Sequence, residues 1–381
     1  MRDMVEIGMG RTARRTYELG EINIVPSRRT RSSQDVSTGW QLDAYRFDIP
    51  VIAHPTDALV SPDFGIELGR LGGLGVLNGE GLIGRHADVE GCIARVVEAA
   101  DKQVDPAVPV RMLQQLHAAP LDLDLLGEAV ARVREAGVTT AVRVSPQNAQ
   151  ALTPTLVAAG IDLLVIQGTI ISAERVTQGR DGGEPLNLKT FISELDVPVV
   201  AGGVADHRTA LHLMRTGAAG VIVGYGSTAG VTTSDEVLGI SVPMATAIAD
   251  AAAARREYLD ETGGRYVHVL ADGDIHTSGE LAKAIACGAD AVMLGTPLAT
   301  AAEALGGGWY WPSAAAHPSL PRGALLQVAL GERPSLDRVL NGPSDDPFGS
   351  LNVVGGLRRS MAKAGYCDLK EFQKVELTVG S

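Results

Sequence analysis

The chain has 381 residues, 45% of them hydrophobic, 4% aromatic and 45 of them glycine, with a net charge of −12. That is enough apolar material for a full core broken by many tight turns. The scarcity of aromatics argues against a stacking surface for single-stranded nucleic acid, and the negative charge against broad polyanion binding. Length alone allows one large domain or two or three ordinary ones.

Cys92, Cys287 and Cys367 are isolated and lack metal-like spacing, which fits a reducing compartment without structural disulfides. No run approaches the roughly 20 apolar residues of a membrane span, and the arginine-bearing start has no following apolar stretch. The expectation is a soluble, cytoplasmic protein with neither a nucleic acid nor a membrane as partner.

Residues 1–48 read as a polar, irregular arm with Ile22–Val25 as one candidate strand. Arg2, Arg11, Arg14, Arg15, Arg28, Arg29 and Arg31 cluster in it. A charge run of this kind is usually an exposed, solvated arm, here one that could pack on another subunit; a phosphate-contacting arm is the alternative. Ile49–Ala53 is the first clear strand, ending in His54-Pro55-Thr56-Asp57. A helix over Pro62–Leu71 is broken by Gly72-Gly73, and Leu74–Leu77 reads as the second strand. Residues 88–136 are helical in pattern. Further apolar runs follow at Thr140–Val144, Leu163–Ile166, Val197–Ala201, Val221–Val223, Val267–Ala271 and Ala291–Leu294. Helix-like segments separate them, notably Asp206–Arg215 and Pro243–Leu259.

Short, wholly apolar runs suit strands buried on both faces of a parallel sheet. Eight of them, alternating with helices, is the count of a TIM (β/α)8 barrel; a doubly wound open sheet is the competitor. The expected layout is an arm over 1–48 and a single barrel over 49–381. Residues 300–350 lose regular pattern, as functional or disordered segments do, and Leu351–Lys363 reads as a closing helix.

The most informative stretch is 266–296. Thr277 and Glu280 have the spacing of a capping box, and Gly288 sits where a left-handed helix cap belongs. Asp272-Gly273 and Gly295-Thr296 therefore emerge side by side at the ends of strands 7 and 8, where barrels frequently bind phosphate through bare backbone N–H groups. Strands 5 and 6 add Gly202-Gly203 and Gly224-Tyr225-Gly226-Ser227. Asp272 is the best single candidate, since a carboxylate at a strand end can accept both hydroxyls of a ribose; its bland reading is a helix cap or loop hydrogen bond. The long loop Gly224–Pro243 should lie over the barrel mouth. The eight histidines show no metal-binding spacing, so no metal site is expected.

The blocks IPVIAHPTD, RLGGLGVLN, AGGV, TTSDEVLGISVPMATAI and LADGDI...SGELAKAIACGADAVMLGT follow one another as in the IMP dehydrogenase/GMP reductase family, which the chain resembles from about Gly20 to its C-terminus. It is most similar to the actinobacterial IMP dehydrogenase-related subgroup. The resemblance implies a TIM barrel, assembled as a homotetramer or homo-octamer, with a mobile flap at about 300–350 before the last helix. It also implies a purine nucleoside 5′-monophosphate (IMP, XMP or GMP) at the carboxyl face, a nicotinamide dinucleotide (NAD) next to it, and potassium. Carried over by position, Asp272 would hold the ribose and Gly273, Asp274, Gly295 and Thr296 the phosphate, with Ser227 or Gly230 near it. Gly202 and Gly203 would border the nucleotide, while Gln167, Gly168, Gly224 and Gly226 would border the dinucleotide. The interval between Leu77 and Thr140 is too short to hold the family's CBS modules as well as its helices.

Three departures from the family bear on activity. The loop after strand 6 has Thr232-Thr233-Ser234-Asp235 where the family has Cys-Thr-Thr-Arg; a one-residue slip puts Val231 at the cysteine position. Neither is a thiol, and a threonine hydroxyl is a poor nucleophile at neutral pH without an adjacent base. Gln167 stands where the family has an aspartate, and Asp274 where it has glycine. Three readings follow: a purine-nucleotide-binding paralogue acting as sensor or partner of an active enzyme, an oxidoreductase of the same family with a thiol-independent mechanism, and a scaffold barrel that binds no nucleotide.

Overall fold

The computed structural model describes residues 4–102, 105–168, 171, 186–226, 238–313 and 324–380. Its centre is a closed barrel of eight parallel strands. In chain order these are β1 (Val51–Ala53), β2 (Leu74–Asn78), β3 (Ala141–Val144), β4 (Leu163–Gln167), β5 (Val199–Val204), β6 (Gly220–Val223), β7 (His268–Asp272) and β8 (Ala291–Leu294). The barrel closes where β8 pairs with β1, Val292 opposite Val51 and Leu294 opposite Ala53. All eight apolar runs are therefore strands, and the open-sheet alternative falls away.

The sequence makes these strands by leaving no polar face. Every residue of β1, β2, β4, β5, β6, β7 and β8 is buried, the signature of a sheet covered by helices on one side and packed on itself on the other. Inside, Ile52, Val76, Val165, Ile222, Leu270 and Met293 converge on Leu42, leaving a cavity of only about 10 Å³. A water needs about that much or more, so the barrel is a packed core and not a channel.

Leu42 belongs to the stretch expected to be irregular. Residues 4–48 carry three pieces of sheet, one of them at the Ile22–Val25 candidate. Trp40–Leu42 pairs with Tyr45–Phe47 as a short ribbon, driven by Trp40 stacking on Phe47 at 5.0 Å and by the burial of Leu42. This ribbon closes the floor of the barrel, at the amino ends of the strands. Ile22–Ile24 pairs with Leu377–Val379, and Met4–Gly8 pairs with Arg11–Arg14 in an outlying hairpin. Alternation over so few residues is too short to read without knowing the partner strand.

The floor is locked by Asp290. Its carboxylate takes Arg255 at 2.8 Å, Lys370 at 2.6 Å, the Tyr266 hydroxyl at 2.8 Å and the Val269 amide at 2.9 Å. Burial alone would raise its pKa, but the charges of Arg255, Lys370 and His268 outweigh it and hold the group at about 2. The C-terminal segment is thereby tied to the barrel by a fully buried ion, which stays charged only because it is fully partnered.

Beyond β8, the described residues between 300 and 350 carry more structure than their pattern foretold. Trp309–Tyr310 pairs with Leu326–Gln327, and Leu336–Asn341 is helical. Tyr310 and Trp311 are among the largest fully buried side chains. The closing helix spans Val353–Ala364. Among the described residues no helix is long and apolar enough to cross a membrane.

Candidate functional site

The carboxyl ends of β1, β4 and β7 and the segment beyond β8 bring four side chains together over the mouth. Asp272 is the last residue of β7 and is 1% exposed. Its Oδ2 accepts the Gln167 side-chain amide from the end of β4 at 2.5 Å and lies 3.4 Å from His54 Nε2, one residue beyond β1. His54 Nδ1 lies 3.5 Å from the Tyr310 hydroxyl. A proton on Nε2 faces the carboxylate, and Nδ1 is then left to accept from the phenol. Burial, then the charges of Asp272 and Asp274, push the Tyr310 pKa far above its ordinary value, so Tyr310 remains a donor.

The backbone holds Asp272 equally tightly. Its carbonyl accepts from the Gly226 amide at 3.2 Å. A Cβ on Gly224 would fall on that carbonyl oxygen, and one on Gly203 would fall on the Gly224 carbonyl. The Gly203 amide donates to the Gly168 carbonyl at 3.1 Å, and the Gly168 amide donates to the Gly202 carbonyl at 2.9 Å. Close chain approach thus accounts for Gly202, Gly203 and Gly224 without any ligand.

Next to Gln167 lies a second polar cluster. Arg143 donates to the Gln167 carbonyl at 2.8 Å and pairs with Glu80 at 3.1 Å. Glu80 also accepts from the Ser145 hydroxyl at 2.9 Å, from the Ser145 amide and from Asn148. Burial lowers the Arg143 pKa, partly offset by Glu80 and Asp57; a guanidinium nevertheless stays charged.

On the β7 and β8 loops, the capping box forms as its spacing foretold. Thr277 accepts from the Glu280 amide, while Glu280 Oε2 accepts from the His276 and Thr277 amides at 2.8 and 3.0 Å. The His276 ring bridges the two loops, with Nδ1 3.0 Å from Thr296 Oγ1 and Nε2 3.8 Å from Asp274. A Cβ on Gly295 would press on the Tyr310 ring, and one on Gly273 on Met244. The candidates Ser227, Gly230, Val231, Thr232 and Thr233 lie outside the described residues.

Three residues at this end escaped the sequence reading: His54, Tyr310 and Arg143. The signal for His54 was available, since a titratable residue directly after a barrel strand points at the mouth. Tyr310 and Arg143 gave none, because one sits in an irregular segment and the other in an apolar strand.

Cys92 is buried, and burial pushes the Cys287 thiol up to about 12, away from thiolate chemistry. Among the described residues no group of three or more His, Cys, Asp or Glu could hold a metal ion. Nor do the residues at the end of β4 fit a dinucleotide as a carboxylate there would. Gln167 presents an amide already committed to Asp272, backed by the Arg143–Glu80 pair.

Residues 16–315 match the model of the IMP dehydrogenase/GMP reductase domain. Over 378 residues, 99% of this chain and 100% of the relative, it is 88% identical to a Mycolicibacterium smegmatis protein described as an uncharacterized oxidoreductase. An Aquifex aeolicus inosine-5′-monophosphate dehydrogenase is 34% identical over 235 residues, 58% of this chain and 44% of that enzyme. The crystal structure of an IMP dehydrogenase/GMP reductase-like protein from Corynebacterium glutamicum superposes with a TM-score of 0.92 at 58% identity, covering 99% of this chain and 98% of that one. With the barrel closed, and with a single family model covering its strands, the chain belongs to the IMP dehydrogenase/GMP reductase family.

Proposed function

We propose that the protein binds a purine nucleoside 5′-monophosphate at the carboxyl face of the barrel, as a family member without the covalent cysteine reaction. The observation that carries this reading is Asp272: a carboxylate 1% exposed, at a strand end, with both side-chain contacts on a single oxygen. In this reading the ribose hydroxyls donate to Asp272, and Gln167 and His54 hold that carboxylate in place. The phosphate lies against the Gly273–Asp274 and Gly295–Thr296 backbone. His276 and Thr296 then offer a ring nitrogen and a hydroxyl at its edge. Ser227 or Gly230 approaches from the loop after β6. The Asp274 carboxylate lies 3.8 Å from His276 Nε2.

The chain's residues then bind and orient a nucleotide, and the activity left to it is that of a sensor or a partner of an active enzyme in purine nucleotide metabolism. It works as one barrel with a flap, in a homotetramer or homo-octamer, without CBS modules to regulate it. NAD and potassium belong to the family's chemistry; Gln167, an amide engaged with Asp272, suits NAD less well than a carboxylate there would.

A second reading keeps oxidoreductase chemistry, converting IMP to XMP or GMP to IMP without a thiol. One observation favours it: His54, a titratable ring on Asp272, stands where a proton could be taken up.

Calorimetric titration with IMP, XMP and GMP, with parallel assay of nicotinamide reduction, separates these readings. Binding without turnover supports the sensor or partner. Turnover establishes the second reading, and failure of all three nucleotides to bind leaves a scaffold. Thr232→Cys and Val231→Cys then test whether a thiol alone restores the family reaction.

A further inference from the structure

The two oxygens of Asp272 are not equivalent. Oδ2 takes the Gln167 side-chain amide at 2.5 Å and has His54 Nε2 at 3.4 Å. Gly226 closes on the same oxygen: a Cβ built there would stand 3.4 Å from His54 Nε2 and 3.9 Å from Oδ2. A carboxylate oxygen accepts along two lone-pair directions, and two nitrogens and a stretch of backbone fill the space around them. The side-chain contacts of this carboxylate among the described residues thus fall on Oδ2, and Oδ1 is the oxygen left for a ligand.

The groups around Oδ2 are themselves held. Gln167 is a buried residue of β4, and its carbonyl accepts from Arg143 at 2.8 Å. His54 has its other ring nitrogen 3.5 Å from the hydroxyl of buried Tyr310. The Gly226 amide donates to the Asp272 carbonyl at 3.2 Å. A ligand hydroxyl reaching Oδ2 would displace one hydrogen bond to a charged oxygen in order to form another, with no net gain. The vicinal hydroxyls of a ribose match the two oxygens of a free carboxylate, one on each. Here the protein already occupies one of those two places.

We infer that the site reads a single ribose hydroxyl, through Asp272 Oδ1, and accepts a purine nucleoside 5′-monophosphate lacking the other hydroxyl as readily as the ribonucleotide. The inference rests on the nucleotide reading proposed above and widens its ligand class to deoxynucleotides. Gln167 and His54 set this specificity. A site built to hydrogen-bond a hydroxyl rejects an analogue without it, because the site's own polar group is then left unpaired. At Oδ2 a missing hydroxyl leaves nothing unpaired, since Gln167 satisfies that oxygen in the empty and the filled site alike.

The test is calorimetric titration of the full chain with IMP, GMP and XMP, each in ribo, 2′-deoxy and 3′-deoxy forms. For the base that binds, one deoxy form should match the ribonucleotide within about threefold, and the other should bind at least about tenfold more weakly. Gln167→Ala, which frees a lone pair of Oδ2, should make the tolerated deoxy form at least about tenfold weaker than the ribonucleotide. Wild-type protein that binds the ribonucleotide but weakens tenfold with both deoxy forms overturns the inference and leaves the nucleotide reading standing. Both deoxy forms matching the ribonucleotide overturns it too, since Asp272 then reads no hydroxyl. So does an unchanged ratio in Gln167→Ala of wild-type circular dichroism. Absence of binding by every form removes the nucleotide reading itself, and this inference with it.

Discussion

Gln167, at the end of β4, donates its side-chain amide across the barrel mouth to Asp272, at the end of β7, over 2.5 Å. An amide at this position donates to the carboxylate and holds it in place. Gln167→Glu would set two carboxylates at that distance, which raises the pKa of one of them. A carboxyl whose folded pKa is raised destabilises the fold as pH climbs from its unfolded value through the folded one. The variant should match wild type near about pH 4 and fall behind by roughly 1–3 kcal/mol at pH 8. Thermal melts across that range check it, and parallel profiles would refute the pairing.

Asp272→Asn keeps the shape of the side chain and removes its charge. Hydrogen bonds to a charged group contribute about 1.5–3 kcal/mol, so nucleotide affinity should fall roughly 10- to 150-fold. Calorimetry with the best-binding monophosphate measures the loss. An unchanged Kd would place the nucleotide elsewhere.

His268 sets the acid limit of the fold. Its Nε2 accepts from the Asp43 amide at 3.3 Å, which fixes the neutral ring. Burial, opposed by the Asp290 charge, pulls its pKa down to about 4 from 6.5. The unfolded chain therefore takes a proton between those values that the folded chain refuses, and stability falls as pH drops from 6.5 towards 4. The loss should be on the order of 2–3 kcal/mol. His268→Gln should flatten that part of the profile in urea titrations; an unaltered slope would assign the acid sensitivity to other groups.

Gly224 has no room for a side chain. Its φ is +102°, and a Cβ would fall on the Asp272 carbonyl. Gly224→Ala should cost about 1–3 kcal/mol through overpacking and displace Asp272, so melting temperature and nucleotide affinity drop together. Loss of stability with full affinity would show that the carboxylate is positioned independently of its backbone.

How much of this could be read beforehand depended on range. The eight strands and the Thr277–Glu280 cap were legible, because burial on both faces and capping chemistry are written within a few residues. Asp272 was legible as a carboxylate at a strand end. Its partners were not: Gln167 and His54 lie 105 and 218 positions away, and only closure of the barrel places them on one oxygen. The ribbon at Trp40–Phe47 was missed for the same reason, since its three-residue strands earn their stability from the barrel floor they cover.

The pairing of Ile22–Ile24 with Leu377–Val379 sets an order on synthesis. The earlier strand leaves the ribosome about 350 residues before its partner exists, a wait of roughly 20–70 s at about 5–20 residues per second. Through that interval an apolar strand near the amino terminus has no ladder to join, and the barrel above it can close first. The mouth that carries Asp272 is then complete before Ile22–Ile24 meets its partner strand, so chaperone binding during translation should concentrate on residues 19–25.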